Sequence, residues 1–216
     1  MLKKLLGYDF GFMQAMDAAG NFLCVSALWI ACCLPVFTAG TSTAALYYAV
    51  TKSVRKGHGY AAREFWDFFK KNWKQGAGVS LVYIGLAALA VLEYQIVAGM
   101  SETLPFAQVY RVISLWIGFA VLALGIYVFP VFSRFVYGIG DTFKTAFVMS
   151  WKHLFSTILM LAVAAAGVFL CTKIALLIVL VPGMTAYFIS LRMEGVFRQY
   201  MEKPKEGEDV PWYWES

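Results

Sequence analysis

The sequence predicts an all-α polytopic membrane protein with six transmembrane helices and two or three amphipathic helices at the membrane interface. Three observations lead to this fold class: the composition, the uncharged stretches and the placement of Lys and Arg. Of 216 residues, 61% are hydrophobic and only 14% are charged, and the mean hydropathy is +0.67. Soluble domains average about 45–50% apolar and about 25% charged residues, so the composition excludes a soluble domain. It also excludes a disordered chain, which would be poor in apolar residues.

The first two spans lie in one uncharged stretch between Asp17 and Lys52. As a helix this stretch would measure about 50 Å, whereas the hydrocarbon core of a bilayer is about 30 Å thick. Pro35 and Gly40 interrupt it, because proline and glycine disfavour a helix interior. We therefore expect a first span at 18–36 and a shorter helix at 41–55, which either crosses fully or re-enters.

Four further apolar stretches predict the remaining spans, at residues 76–99, 110–133, 154–180 and 183–199. A spanning helix needs about 20 mostly apolar residues, and these stretches come close to or exceed that length. Pro130 and Pro182 are predicted to break the helices near the end of the fourth span and the start of the last. The result is one membrane domain at 1–201, followed by a polar cytoplasmic tail at 202–216.

The basic residues predict the orientation, since Lys and Arg favour the cytoplasmic loops of membrane proteins. With both termini in the cytoplasm, all of the 18 basic residues except Arg111 and Lys173 lie on or toward the cytoplasmic side. The net charge of +5 then faces anionic lipid headgroups. The lipid bilayer is thus the expected partner of these charges, and no nucleic acid is needed to explain them.

Two amphipathic segments, at 60–74 and 141–154, carry aromatic residues on one face and charged residues on the other. This pattern is typical of helices that lie in the membrane interface. The expected anchors of the second segment follow those of the first by 78 positions: Phe65, Phe69, Trp73 and Lys74, then Phe143, Phe147, Trp151 and Lys152. The match indicates two or three parallel units, each an interfacial helix followed by a transmembrane hairpin. Alternatively, any interfacial helix needs aromatics and Lys at this spacing, and no duplication took place.

Two sequence blocks resemble a known family. They are LPVFTAG at residues 34–40, followed by TAALYY at 43–48, and EFWDFFKKNWKQ at 64–75. Together they resemble the YesL family, small polytopic membrane proteins of bacteria without an assigned biochemical activity. The resemblance implies the bacterial cytoplasmic membrane as location. Because members are often encoded beside carbohydrate ABC-type uptake systems and polysaccharide-degrading enzymes, it also implies an accessory role in carbohydrate acquisition or envelope carbohydrate metabolism.

Catalytic and metal-binding motifs are missing from the sequence. His58 and His153 are the two histidines, and neither has the spacing of a metal-ligand motif. The sequence also has no nucleophile elbow and no phosphate-binding loop. We therefore expect no enzymatic activity, no metal and no cofactor.

Charged residues inside or beside the spans provide the sharper signal, because intramembrane charge is costly and often functional. Glu93 and Lys173 lie at similar depth if the repeat holds, and we predict that they pair or share a polar pocket. Arg111 is a second potential partner for Glu93. The alternative is that Glu93 and Lys173 reach the headgroups independently. Glu194, in the last span, is expected to extend to the interface in the same way.

Two functional hypotheses follow from the sequence and the resemblance. The first is a membrane accessory protein that docks on the membrane subunits of a carbohydrate ABC transporter. The second is a small autonomous transporter or channel with its polar site between spans three and five. A membrane-embedded enzyme would require a cluster of acidic or His side chains facing one leaflet, which the sequence lacks.

Overall fold

In the computed structural model, residues 2–58, 60–100 and 106–201 are described, and helix is the only regular secondary structure among them. The predicted polar tail at 202–216 lies outside the described residues. Seven α-helices follow one another in these described ranges: α1 (Leu2–Cys33), α2 (Ala39–Ala49), α3 (Ala61–Ala98), α4 (Ala107–Arg134), α5 (Ile139–Lys152), α6 (Leu154–Lys173) and α7 (Val181–Phe197). Three short helical turns join them: a 3₁₀ turn at Val36–Thr38, a π turn at Val50–Arg55 and a 3₁₀ turn at Ala175–Val179.

Among the described residues, three helices, α3, α4 and α6, are long and apolar enough to cross a membrane. Their most apolar segments have a mean hydropathy of 1.9, 2.4 and 2.4, and only 6%, 28% and 17% of these segments is buried inside the protein. The Ala18–Cys33 part of α1 is apolar but shorter. Apolar helices that turn such surfaces outward are suited to contact with a lipid bilayer. The six predicted crossings stay a prediction.

The core of the bundle is built around α2, which packs against α1, α3, α4 and α7. Small side chains let the backbones approach closely. A Cβ atom added to Gly40 would lie 2.3 Å from the Phe129 ring, and one added to Gly76 would lie 2.3 Å from Thr41 Oγ1. The Gly40 amide donates a hydrogen bond to Ser80 Oγ at 3.0 Å. Most of α2 is buried as a result: Gly40, Thr41, Ser42, Ala44, Ala45, Leu46, Tyr47 and Ala49.

One end of the bundle gathers the basic residues, and we call it the basic end. The π turn, α4 and α7 finish there, while α3 begins there. Lys52 Nζ donates to Glu64 Oε2 at 2.7 Å, and this ion pair joins the π turn to the start of α3. The Arg55 guanidinium donates to the carbonyl oxygen of Ser190 at 2.6 Å and so joins the π turn to α7.

The two amphipathic segments are built differently from each other. The predicted interfacial helix at 60–74 is not separate but forms the first part of α3, which is about 57 Å long. The second segment is a helix of its own, α5, because the chain bends at His153 (φ −116°, ψ 47°). The Thr157 hydroxyl lies 2.9 Å from the Ser150 carbonyl oxygen at this bend and supplies a donor to it. At the matching position α3 has Val79, which offers no hydroxyl, and α3 continues without a break.

The three predicted helix-breaking prolines have different positions. Pro35 precedes the 3₁₀ turn at Val36–Thr38, and Pro182 lies in the first turn of α7, where its missing N–H costs no helical hydrogen bond. Pro130, in contrast, lies inside α4, which continues to Arg134. The prediction of a helix break at Pro130 is therefore wrong, and prolines are tolerated in this way in helices that span membranes.

Candidate functional site

A buried polar group lies where α2, α4 and α7 meet near the basic end. It consists of Tyr47 from α2, Arg134 from the last turn of α4 and Glu194 from α7, and we call it the buried trio. Arg134 and Glu194 form an ion pair, and the side chain of each is only 4% exposed. Glu194 Oε1 also accepts a hydrogen bond from Tyr47 Oη at 3.0 Å. One carboxylate thereby ties three helices together.

The energetics of the buried trio differ from those of a surface ion pair. Removing two charges from water is costly, and the cost is recovered only with close pairing and further hydrogen bonds. Loss of one partner of a buried pair costs about 3–5 kcal/mol, because the other charge is left without compensation. The expectation that Glu194 extends to the interface is therefore wrong: its carboxylate is held inside the bundle by Arg134 and Tyr47.

A cavity of about 390 Å³ opens at the basic end, and we call it the basic cavity. Three cationic residues line it together with Glu194: Arg55 of the π turn, Lys56 at the C-cap of that turn and Arg198 at the C-cap of α7. Leu191 and Gly195 complete the lining. Cations so arranged suit an anionic group, and the hydrogen bond to Ser190 fixes the direction of one of them, Arg55.

A second, larger cavity of about 680 Å³ lies between the helices, and we call it the apolar cavity. Its lining includes Trp29, Leu46, Tyr47, Phe129, Leu161, Ala164, Val168, Val181 and Ile189. Polar atoms come mainly from a few hydroxyl groups, among them those of Thr43, Thr172 and Thr185. A cavity of this chemistry favours an apolar occupant over a strongly hydrated one.

The buried trio lies between the two cavities. Tyr47 lines the apolar cavity, Glu194 lines the basic cavity, and a single hydrogen bond of 3.0 Å joins their side chains. The position of this bond makes the trio the best candidate for a functional site among the described residues. It separates an apolar space from a cationic one.

The predicted polar pair has separate partners in the structure. The half-buried Glu93 accepts a hydrogen bond from Ser114 Oγ at 2.7 Å, which joins α3 to α4. Lys173 Nζ lies 5.4 Å from the centre of the Phe169 ring on its own helix. Arg111, one turn before Ser114 on α4, is half-buried. Pairing of Glu93 with Lys173 or Arg111 stays a prediction.

The predicted interfacial anchors divide into buried and exposed residues. Phe65 is fully buried and packs in the core with Val50 and Ala61, so its assignment as a membrane anchor is wrong. Phe69 and Phe143 are half-buried. Three other predicted anchors have exposed side chains, as contact with the membrane interface requires: Trp73 is 45% exposed, Phe147 51% and Trp151 40%. The ammonium of Lys74 lies 5.8 Å from the centre of the Trp73 ring, and that of Lys152 lies 5.2 Å from the Tyr200 ring.

Among the residues that the structure describes, no three His, Cys, Asp or Glu side chains cluster closely enough to hold a metal ion. His153, at the bend between α5 and α6, lies with Nε2 3.4 Å from Tyr200 Oη. Partial burial and the neighbouring Lys152 charge lower the pKa of His153 from 6.5. Both effects favour the neutral form of this histidine, and the Tyr200 hydroxyl fits as its hydrogen-bond partner.

Comparison with known proteins gives two matches and one absence. The family model described as "Protein of unknown function, DUF624" matches residues 22–94. "Uncharacterized protein YesL" of Bacillus subtilis (strain 168) is 32% identical over 149 residues, which cover 67% of this chain and 68% of that protein. No solved structure matches this chain. Tyr47 lies within the region that the family model matches, whereas Arg134 and Glu194 lie beyond it.

Proposed function

The chain belongs to the YesL family of proteins of unknown function, and from this membership we propose a membrane accessory protein that supports carbohydrate uptake of the ABC type or envelope carbohydrate metabolism. It carries out no catalysis of its own in this proposal. The link to carbohydrates rests on the genomic setting implied by the family resemblance. The partner is a membrane subunit of the uptake system.

The proposed placement is a six-span protein of the bacterial cytoplasmic membrane with both termini in the cytoplasm. The basic end of the bundle then faces the cytoplasm, in agreement with the preference of Lys and Arg for that side. In this proposal α3, α4 and α6 cross the membrane. Three further segments also cross it: Ala18–Cys33 of α1, α2 with its π turn, and α7. The last two have fewer than 20 residues each and cross near the centre of the bundle.

The apolar lining of the large cavity is the observation that carries the proposal. A sugar exposes hydroxyl groups, and a site that moves sugars must offer hydrogen-bond partners along its path. The apolar cavity offers aliphatic and aromatic side chains instead. Such a recess between helices suits an apolar side chain from a transmembrane helix of a partner, since helices associate in membranes by close packing.

Co-purification from the native membrane tests this proposal. A tagged copy is solubilised in mild detergent, and we expect membrane subunits of a carbohydrate ABC transporter to be recovered with it. Ala164 lines the apolar cavity, so Ala164→Trp should fill the recess and abolish the recovery. Ala166→Trp is the matched control, because Ala166 lies on an exposed part of the same helix outside the lining.

Two outcomes would contradict the proposal. Wild-type chain recovered without a transporter component would remove the accessory role. Equal recovery with Ala164→Trp and with Ala166→Trp would leave a partner but exclude the apolar cavity as its docking surface.

A small autonomous carrier is the second candidate, and the position of the buried trio between two cavities favours it. In this case opening of the bond between Tyr47 and Glu194 would connect the apolar cavity with the basic cavity. Proteoliposomes that contain this chain alone would then take up a labelled sugar or organic anion, and Glu194→Gln would change the rate. The polar pair Glu93 and Lys173 belongs to this second candidate as the alternative site. Absence of any flux above that of empty liposomes would end it.

A further inference from the structure

The apolar cavity extends from the centre of the bundle to its outer surface. Its inner wall includes Leu46 and Tyr47 of α2, and both residues are buried. Leu122 of α4 and Val168 of α6 line the same cavity, but they are 58% and 66% exposed. These two helices are neighbours in the bundle. The cavity therefore opens to the outside between α4 and α6, and we call this opening the mouth.

The depth of the mouth along the helices indicates which molecules reach it. Leu122 lies 12 residues before Arg134, where α4 ends, and Val168 lies 14 residues after Leu154, where α6 begins. At a rise of 1.5 Å per residue, these distances are about 18 Å and about 21 Å. The hydrocarbon core of a bilayer is about 30 Å thick. With α4 and α6 across the membrane, the mouth therefore opens among lipid acyl chains.

The hydroxyl groups in the lining already have partners within the protein. Thr43 Oγ1 accepts a hydrogen bond from Trp29 Nε1 at 3.2 Å, and the Tyr47 hydroxyl donates to Glu194. The Thr172 hydroxyl donates to a backbone carbonyl oxygen of its own helix. A water molecule inside a protein needs about 2–4 polar partners, while an empty apolar cavity loses the contacts of its lining. An apolar molecule therefore fills this cavity better than water does.

We propose that the apolar cavity binds an acyl chain of a membrane phospholipid, which enters through the mouth. The outward-facing apolar surfaces of α4 and α6 continue into the cavity at Leu122 and Val168, so the acyl chain enters without leaving hydrocarbon. The volume of about 680 Å³ is within the range of about 300–1,000 Å³ that is common for ligand pockets. This role goes beyond the proposed accessory function: the acyl chain occupies the cavity while no partner is docked, and a partner side chain has to displace it.

Quenching of Trp29 fluorescence tests the proposal, because Trp29 lines the cavity. The full-length chain is purified in a detergent without bromine, and phosphatidylcholine with brominated acyl chains is titrated into it. Bromine quenches a tryptophan that it contacts. The same titration of Trp29→Phe gives the contribution of the other six tryptophans, which is subtracted. We expect saturable quenching of Trp29, reversed by an excess of the same lipid without bromine.

Substitutions on α6 make the test specific. Ala164 lines the cavity, so Ala164→Phe should fill it and abolish the saturable quenching. Ala166→Phe is the matched control, because Ala166 is exposed on α6 outside the lining, and it should respond as the wild type does. Val168→Phe narrows the mouth at an exposed position without a change in the core, and it should raise the lipid concentration needed for half-maximal quenching. None of these changes adds a tryptophan, and Tm checks the folding of each variant.

Three outcomes would overturn the proposal. Quenching that rises with the brominated lipid and never saturates would report only the lipid around the bundle. Saturable quenching that is equal in the wild type, in Ala164→Phe and in Val168→Phe would place the lipid outside the cavity. Quenching that appears only after removal of residues 202–216 would assign the cavity to the chain's own tail. The test needs no partner protein, so its failure would leave the accessory role untouched, and failed co-purification would leave the lipid site untouched.

Discussion

At the scale of single residues, Glu194 joins three helices, and no sequence pattern around this residue indicates that role. Its carboxylate binds the guanidinium at the end of α4 and the phenol of α2, while the residue itself lines the basic cavity. A charged residue within the last span is visible in the sequence. Its partner Arg134 stands far away in the chain, and their pairing depends on how α4 and α7 pack, which a single sequence does not encode in a readable form.

Glu194→Ala should destabilise the protein by about 3–5 kcal/mol, because Arg134 would remain buried without its counter-ion. Unfolding followed in detergent micelles measures the change. Arg192→Ala serves as control, because this exposed residue on the same helix should alter the free energy of unfolding by no more than about 0.5 kcal/mol. Similar stabilities of the two variants would contradict the central place of the buried trio in the fold.

A second substitution set separates stability from function at the same site. Replacement of all three members by apolar residues of similar size (Tyr47→Phe, Arg134→Met and Glu194→Met together) should recover most of the stability lost in Glu194→Ala, since no buried charge remains. If the variant is stable and still co-purifies with its partner, the trio serves the fold alone. Stable protein that has lost its partner or its flux would assign the trio to function.

At the scale of helices, the hydrophobic pattern predicts the helical content well but not where one helix ends and the next begins. The amphipathic segments look alike in sequence, with aromatic and Lys residues at matching positions, yet one continues into α3 and the other ends at Lys152. The Thr157 hydroxyl lies at the bend after α5, and at the matching position α3 has Val79. Phe65 is a similar case, because its burial against the π turn depends on tertiary packing and not on its own helix.

Thr157→Val should therefore destabilise the bend between α5 and α6. The Thr157 hydroxyl lies 2.9 Å from the Ser150 carbonyl oxygen and 3.2 Å from Tyr127 Oη, and it is fully buried. Loss of a buried hydrogen-bonding group costs about 1–3 kcal/mol, which unfolding in detergent micelles can resolve. Thr172→Val, an exposed change on the same helix, should change the stability by less than about 0.5 kcal/mol. Equal effects of the two changes would argue against the hydroxyl as the cause of the bend.

At the scale of the whole molecule, the predicted parallel units would divide the described helices into three successive pairs, each with an outgoing element and a returning one. The first pair is α1 with α2 and its π turn, the second α3 with α4, and the third α5 and α6 with α7. The second and third pairs start at Ala61 and Ile139, which have the same offset of 78 positions as the aromatic residues. This offset is the one already present in the sequence, so the parallel units stay a prediction. In that arrangement the basic end lies at the start of each of these two pairs.

Parallel units of equal direction would give a defined topology, which cysteine labelling in intact cells can check. In a background without Cys24, Cys32, Cys33 and Cys171, single cysteines are placed in the connections. Val136→Cys, in the fully exposed connection after α4, should react with a membrane-impermeant maleimide only after the cells are permeabilised, because it lies at the basic end. Ile174→Cys, an exposed position after α6 at the opposite end, should react in intact cells. The reverse pattern would invert the orientation given by the basic residues, and labelling of both positions from one side would contradict a crossing by α6.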